Sequence, residues 1–433
     1  MSRAQLLRLG LFQMSAGGLS VLFLGVLNRV MRVEMGIDLF IVGLIVGGGH
    51  YLGALTAIPF GHYSDTHRVA GYHRTIYILL GVLIGGLVLL SSPWVANWLS
   101  QSSTSLNMLL ALAIFLLEGT STFIAGTAYL ALIADRTTRS ERGRATAAVW
   151  TLMMVGIILT GVFAGIFMPK YQFDRLVTLF AIGFIVSISL AIFALWGQER
   201  RLSGRLPGPR SSLREALLMV VHSRQSRRFA AFLIVGMFSY FMQDVILEPF
   251  GGEVFGLEPA ITTRFNAYMG IGVIFGMILG GIRLIPSRGK RWVTSAGCWI
   301  MIVAFTWLAS RGFLHMSRGM PLNILLLGLG AGLFTVGGVA LMMDMTSSKH
   351  TGLFVGAWTL VQALAKGPAS VVSGGLQSVI LASGALPGQA YGVVFLLEAV
   401  GLLLAIIILR RVRVKSFQSE VEWFGEAAAA GID

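Results

Sequence analysis

The sequence predicts an all-α polytopic membrane protein, with twelve transmembrane helices in two parallel six-helix halves. Three observations carry this. Of the 433 residues, 55% are hydrophobic and 12% charged, with 54 glycines and a mean hydropathy of +0.79. So few charges could not cover the surface of a water-soluble globule of this length. The apolar residues fall into twelve runs, each long enough to cross a bilayer of about 30 Å. A short pattern also repeats at half the chain length.

The predicted spans run 10–31, 38–61, 75–97, 106–134, 145–168, 176–196, 229–250, 264–286, 293–314, 322–343, 352–382 and 390–409. The first run is too long for a cleavable signal peptide and lacks a small-residue cleavage site. Cys298, the single cysteine, lies in an apolar run, so there is no disulfide framework and no thiolate metal cluster. The net charge of +14 becomes informative once placed. Of the 33 Lys and Arg, 25 fall on the side that carries both termini, seven on the other side, and Lys366 inside a span. The positive-inside rule therefore places both termini in the cytoplasm. The basic excess is topology and affinity for anionic lipid, not nucleic-acid binding.

The longest polar segment, 197–228, separates a 1–196 half from a 229–409 half, and 410–433 forms a cytoplasmic tail. Pro207, Pro209 and several Gly and Arg mark a linker, and Leu213 to Arg228 reads as an interfacial helix. The fourth span ends Ala134-Asp135, with Gly143 and Trp150 beyond. The tenth ends Met343-Asp344, with Gly352 and Trp358 beyond, an offset of 209 for the two Asp. Two parallel six-helix halves resemble the major facilitator superfamily. Glycine faces (Gly43/Gly47, Gly49/Gly53, Gly161/Gly165, Gly352/Gly356 and Gly272/Gly276/Gly280) suit close helix packing, with a groove for a flat ligand as the other reading.

Ionisable side chains at membrane depth are costly unless paired, so each is a functional candidate. His50, Glu118, Lys366 and Glu398 lie midway along their spans, and Gln243, Asp244 and Glu248 close the seventh. His50 has three open readings: axial ligand to the magnesium of a chlorin, proton relay, or hydrogen bond to a neighbouring helix. Glu118 and Lys366 could pair across the halves, or Glu118 could couple protons. Arg29 and Glu248 are placed to pair and close the outer side, with Pro249 expected to end or kink its helix. Glu398 lies on a helix expected to face lipid, which suggests a lateral partner there and along the tail from Glu420 to Asp433. Asp65, Arg68 and Arg74, in the segment opened by Gly61-His62-Tyr63-Ser64-Asp65, and Asp135 and Asp344 are candidates for conformational ion pairs. No Walker loop, Asp-rich prenyltransferase motif or His/Cys cluster is present, so an enzyme is not expected.

Leu9 to Glu34, Gly61 to Thr66, Gln243 to Gly256 (QDVILEPFGGEVFG), Asp344, Gly356-Ala357-Trp358 and Gln362-Ala363 together resemble the PucC/LhaA-type, bacteriochlorophyll-delivery branch of that superfamily. The resemblance runs along nearly all twelve spans. It implies an assembly factor for light-harvesting complexes that binds or delivers chlorophyll or bacteriochlorophyll, with carotenoid a second candidate ligand. Implied partners are single-span antenna polypeptides, photosystem or reaction-centre intermediates and pigment-synthesis enzymes. The implied location is a photosynthetic inner (intracytoplasmic) or thylakoid membrane. Competing readings are a proton-coupled small-solute carrier using Glu118, Asp244 and Glu248, and a transport-inactive scaffold.

Overall fold

In hydrocarbon every backbone N–H and C=O must be satisfied within the chain, so apolar runs of this length fold as helices. A computed structural model describes residues 3–56, 60, 67, 69, 71–72, 74–137, 142–199, 224–345 and 351–413. Among them, eleven helical stretches are long and apolar enough to cross a membrane. They are Ala4–Glu34 (α1), Leu39–Thr56 (α2), Thr75–Gln101 (α3), Ser105–Ile133 (α4), Ala147–Phe167 (α5), Phe173–Leu195 (α6), Arg224–Phe255 (α7), Pro259–Arg288 (α8), Lys290–Leu314 (α9), Met320–Asp344 (α10) and Pro387–Arg410 (α12). Thr351–Ala382 (α11) is a further helix, of 32 residues. The chain is a multi-pass integral membrane protein. Each predicted span has its helix; the linker core at 201–223 and the tail beyond residue 413 lie outside the described residues.

Packing within the first six helices recurs in the second six. α1 packs on α5 and α6, α3 on α4 and α6, and α2 on α4. Correspondingly, α7 packs on α11 and α12, α9 on α10 and α12, and α8 on α10. The repeated Asp is part of this symmetry. Arg74, at the start of α3, pairs with Asp135 at the end of helix Ser105–Arg136 (Nε–Oδ2 3.5 Å). Lys290, at the start of α9, pairs with Asp344 at the end of α10 (Nζ–Oδ1 2.6 Å).

With twelve helices between them, the first and last described residues, Arg3 and Arg413, lie at one end of the bundle, here the basic end. At that end side-chain links join helices within each half: Arg74 to Asp135, Lys290 to Asp344, and Arg228 donating to the Arg411 carbonyl. At the opposite end the links cross between halves. Arg32 grips Glu253 with two hydrogen bonds (Nη2 to Oε1 2.7 Å, Nε to Oε2 3.2 Å), and Tyr391 donates to the same carboxylate at 2.6 Å. Arg29 donates to the Leu257 carbonyl at 2.8 Å. Asp38 accepts from Ser378 at 2.8 Å while capping α2 through the Phe40 amide at 2.9 Å. Backbones of α2 and α11 meet directly here, since a Cβ on Gly43 or Gly47 would overlap Ser370. The halves are thus locked together at the opposite end.

Prolines inside these helices leave carbonyls that something else must satisfy. In α3, Pro93 frees the Leu89 carbonyl, and the Ser92 hydroxyl donates to it at 2.6 Å. In α7, Pro249 frees the Val245 carbonyl, and Asn28 Nδ2 of α1 donates to it at 2.9 Å and to the Asp244 carbonyl at 3.2 Å. Of the two outcomes expected at Pro249, an end or a kink, the helix does not end there. It breaks once at Met242 and runs on to Phe255, where Gly256 closes it in the left-handed conformation (φ +63°).

Candidate functional site

Helices α1, α2, α4, α7, α11 and α12 bring the mid-span polar residues together. A Cβ on Gly119 would overlap the His50 backbone, so α2 and α4 approach closely where His50 meets Glu118. The His50 Nδ1 to Glu118 Oε2 distance is 2.6 Å, with both side chains almost wholly buried. The other Glu118 oxygen accepts from the Thr122 hydroxyl at 2.8 Å. In the tautomer that donates from Nδ1 to this carboxylate, the ring lone pair is on Nε2. Among the described residues no hydrogen bond to Nε2 is made. Rings of Phe23, Tyr51 and Phe123 surround the imidazole, at centroid distances of 5.6, 5.0 and 5.4 Å.

Tyr51 leads on to the second half. Its hydroxyl donates to Asp244 Oδ2 at 3.1 Å, and the neighbouring Gln243 amide donates to Oδ1. Lys366, half-buried on α11, holds its ammonium 4.2 Å from the Phe241 ring centre and 5.9 Å from that of Tyr51. Asp244 is within electrostatic reach of both Lys366 and His50. The expected Glu118–Lys366 pair is not what forms: Glu118 meets His50 and Thr122, while Lys366 lies against Phe241 and Tyr51.

Glu248 accepts from Asn266 Nδ2 at 2.5 Å and lies against α1 at Gly25, where a Cβ would overlap its carboxylate. The expected Arg29–Glu248 ion pair is replaced. Arg29 pairs with Glu34 on its own helix at 2.6 Å, and closure between halves falls to Arg32 and Glu253. One turn separates Arg29 from Arg32, and both reach the second half, Arg29 through the Leu257 carbonyl and Arg32 through the Glu253 carboxylate. Glu398 also departs from expectation. It does not face lipid but is 0% exposed, with neither carboxylate oxygen hydrogen-bonded and Asp244 within electrostatic reach. The reason is that α12 turns this face toward α7, α9 and α11. Asp65 and Arg68 lie outside the described residues.

Arg32, Glu253, Tyr391, Tyr51, Thr122 and Asn266 were not singled out from sequence. For Tyr51 and Thr122 a signal existed: one adjoins His50, and the other lies one turn from Glu118. At the opposite end a crevice of about 290 Å³ is lined by Arg29, Glu34, Lys170, Tyr171 and Glu258 among others. There, burial and then the Glu34 carboxylate push the Tyr171 phenol above its ordinary range. Among the described residues no group of three or more His, Cys, Asp or Glu could hold a free metal ion.

The family model described as "PUCC protein" matches residues 26–417. The chain belongs to the PucC family. Its relatives include, in Rhodobacter capsulatus, a protein named "Bacteriochlorophyll synthase 44.5 kDa chain", 32% identical over 93% of this PucC-family chain and 94% of that protein. Another, from the puhA-bchM intergenic region of the same species, is uncharacterised and 32% identical over 92% of this chain and 87% of its own. "Protein PucC" of Rhodovulum sulfidophilum is 30% identical over 86% and 84%. Among solved structures, a bacterial homologue of the human lysosomal transporter Spinster, inward-facing and unoccupied, superposes with a TM-score of 0.73. It covers 97% of this chain and 99% of its own, at 16% identity. A D-xylose–proton symporter gives 0.67 over 91% and 96%, at 14% identity. At these identities the likeness is of fold, and the fold is that of major facilitator transporters.

Proposed function

We propose that this PucC-family chain is a non-enzymatic assembly factor that binds (bacterio)chlorophyll at His50 and delivers it to antenna polypeptides of photosynthetic complexes. One observation carries the reading: a ring-lined, buried imidazole whose Nδ1 is held by a carboxylate and whose Nε2 makes no hydrogen bond among the described residues. Metal-ligating histidines are oriented in this way, the second-shell carboxylate fixing the tautomer and raising ligand basicity. A bound chlorin would supply a magnesium that takes one axial nitrogen, and a flat apolar ring. On the protein side Glu118 orients His50, while Phe23, Tyr51 and Phe123 exclude water and offer apolar contact. The close approach of α2 to α4 at Gly119 holds this arrangement in register.

Family membership supports the photosynthetic setting, and the concentration of Lys and Arg at the basic end supports termini in the cytoplasm. With that orientation the inter-half lock lies on the outer side. The site is then approached from the cytoplasm or laterally, the sides from which pigment-synthesis enzymes and single-span partners would reach it. The test is an absorption spectrum and pigment extraction of protein purified in mild detergent from a phototrophic host. A stoichiometric chlorin band lost or shifted in His50→Ala supports the reading. A colourless preparation with no co-purifying antenna polypeptide refutes it.

The unpartnered carboxyl of Glu398 beside Asp244 favours a second reading, a proton-coupled carrier of a small solute. Proton-dependent uptake into vesicles that disappears in both Asp244→Asn and Glu398→Gln would establish it in place of delivery.

A further inference from the structure

Lys366 is a cation at mid-membrane depth whose three N–H donors meet no hydrogen-bond acceptor among the described residues. Aromatic rings adjoin it, Phe241 at 4.2 Å and Tyr51 at 5.9 Å. Asp244 lies close enough to balance its charge, yet both oxygens of that carboxylate already accept, from Tyr51 and from Gln243. At this depth a half-buried ammonium needs a ligand or water to complete its donors. Lys366 and His50 share the Tyr51 ring as a neighbour, 5.9 Å from the ammonium and 5.0 Å from the imidazole centre, and Asp244 is within electrostatic reach of both, so the two groups belong to one site.

The charges then select the kind of acceptor. Around the ammonium lie Asp244, with Glu398 behind it, and the His50–Glu118 pair. Acidic groups already match or outnumber cations, so an anionic ligand would bring an uncompensated negative charge into the bilayer. A neutral carbonyl can accept from the ammonium without that cost.

We propose that Lys366 is a specificity-determining residue that donates to a neutral carbonyl on the rim of the planar ligand held by His50. Resting on the pigment reading above, this makes the site selective for the tail-esterified pigment over its free acid. The reaction that supplies the ligand must then be an esterification that has already masked the carboxylate.

The experiment uses the full-length protein in detergent, titrated with chlorophyll a and, separately, with chlorophyllide a, and examined by resonance Raman spectroscopy. In wild type one rim carbonyl band should shift down relative to free pigment, its keto or ester origin identified by its position. Lys366→Met should return that band to the free position and weaken chlorophyll binding by about ten-fold, the effect of one hydrogen bond to a charged group. Lys366→Arg should keep the shift, and chlorophyllide should bind wild type more weakly than chlorophyll. Retention of the His50-dependent absorption band shows that the Lys366 variants are folded. Carbonyl bands indifferent to Lys366→Met, or tighter binding of chlorophyllide, overturn the proposal while leaving the pigment reading intact. A wild type that binds neither probe overturns both.

Discussion

Asn28 and Pro249 offer a direct test of how the two halves are joined. Pro249 has no N–H for the Val245 carbonyl, and Asn28 Nδ2 supplies the missing donor at 2.9 Å from the other half of the molecule. In Asn28→Ala that buried carbonyl loses its partner. The loss of a hydrogen bond between transmembrane helices averages about 0.6 kcal/mol and reaches about 1.7 kcal/mol. Two contacts are lost here, the second to the Asp244 carbonyl at 3.2 Å, so the upper part of that range is expected. Pro249→Ala restores a local N–H, which makes Asn28 redundant toward Val245. The double variant should therefore cost less than the two single changes together, by about 1 kcal/mol. Reversible unfolding in mixed micelles with increasing sodium dodecyl sulfate, followed by circular dichroism, measures all four proteins. Additivity within about 0.3–0.5 kcal/mol would mean that the two residues do not interact and that the account of α7 is wrong.

Glu118→Gln should retain pigment, but with affinity lowered about 10–100-fold, because a neutral amide cannot raise the basicity of His50; pigment per protein after dilution measures it. Gly119→Ala places a methyl against the His50 backbone and should cost about 1–3 kcal/mol by the same unfolding assay. Gly126→Ala, on the same helix but with nothing within 4 Å of the added carbon, should be neutral or stabilising. Arg32→Gln removes the grip on Glu253, so a cysteine at Ser378 should react severalfold faster with a membrane-impermeant maleimide than in the parent protein. Glu398→Gln breaks no hydrogen bond and is expected to leave the unfolding midpoint unchanged or raised; a large fall would show that the carboxyl has a partner.

Span number, the equivalence of the halves and the depth of each ionisable residue were legible in the sequence, because each is local. Apolar run length sets a helix, and the Asp135/Asp344 repeat marks equivalent helix ends that the structure shows carrying the same ion pair. His50, Glu118, Asp244 and Lys366 stood out for the same reason, as polar groups in runs that otherwise have none. Their partners did not. Which residue meets which depends on the rotation of each helix about its axis and on how closely backbones approach. On α1 it is Arg32 rather than Arg29 that pairs with Glu253, and the close approach at Gly119 sets His50 against Glu118 rather than leaving Glu118 to Lys366.

Glu398 shows the limit most plainly. Its depth could be read from its position in an apolar run, but its burial depends on which face α12 turns inward, set by packing against three other helices. The sequence by itself determined how many times the chain crosses the membrane and which side chains must find company there. Only the tertiary structure decided what company they find, because a one-dimensional pattern fixes depth along a helix while azimuth is fixed by packing against other helices, from one to several helices away in the chain.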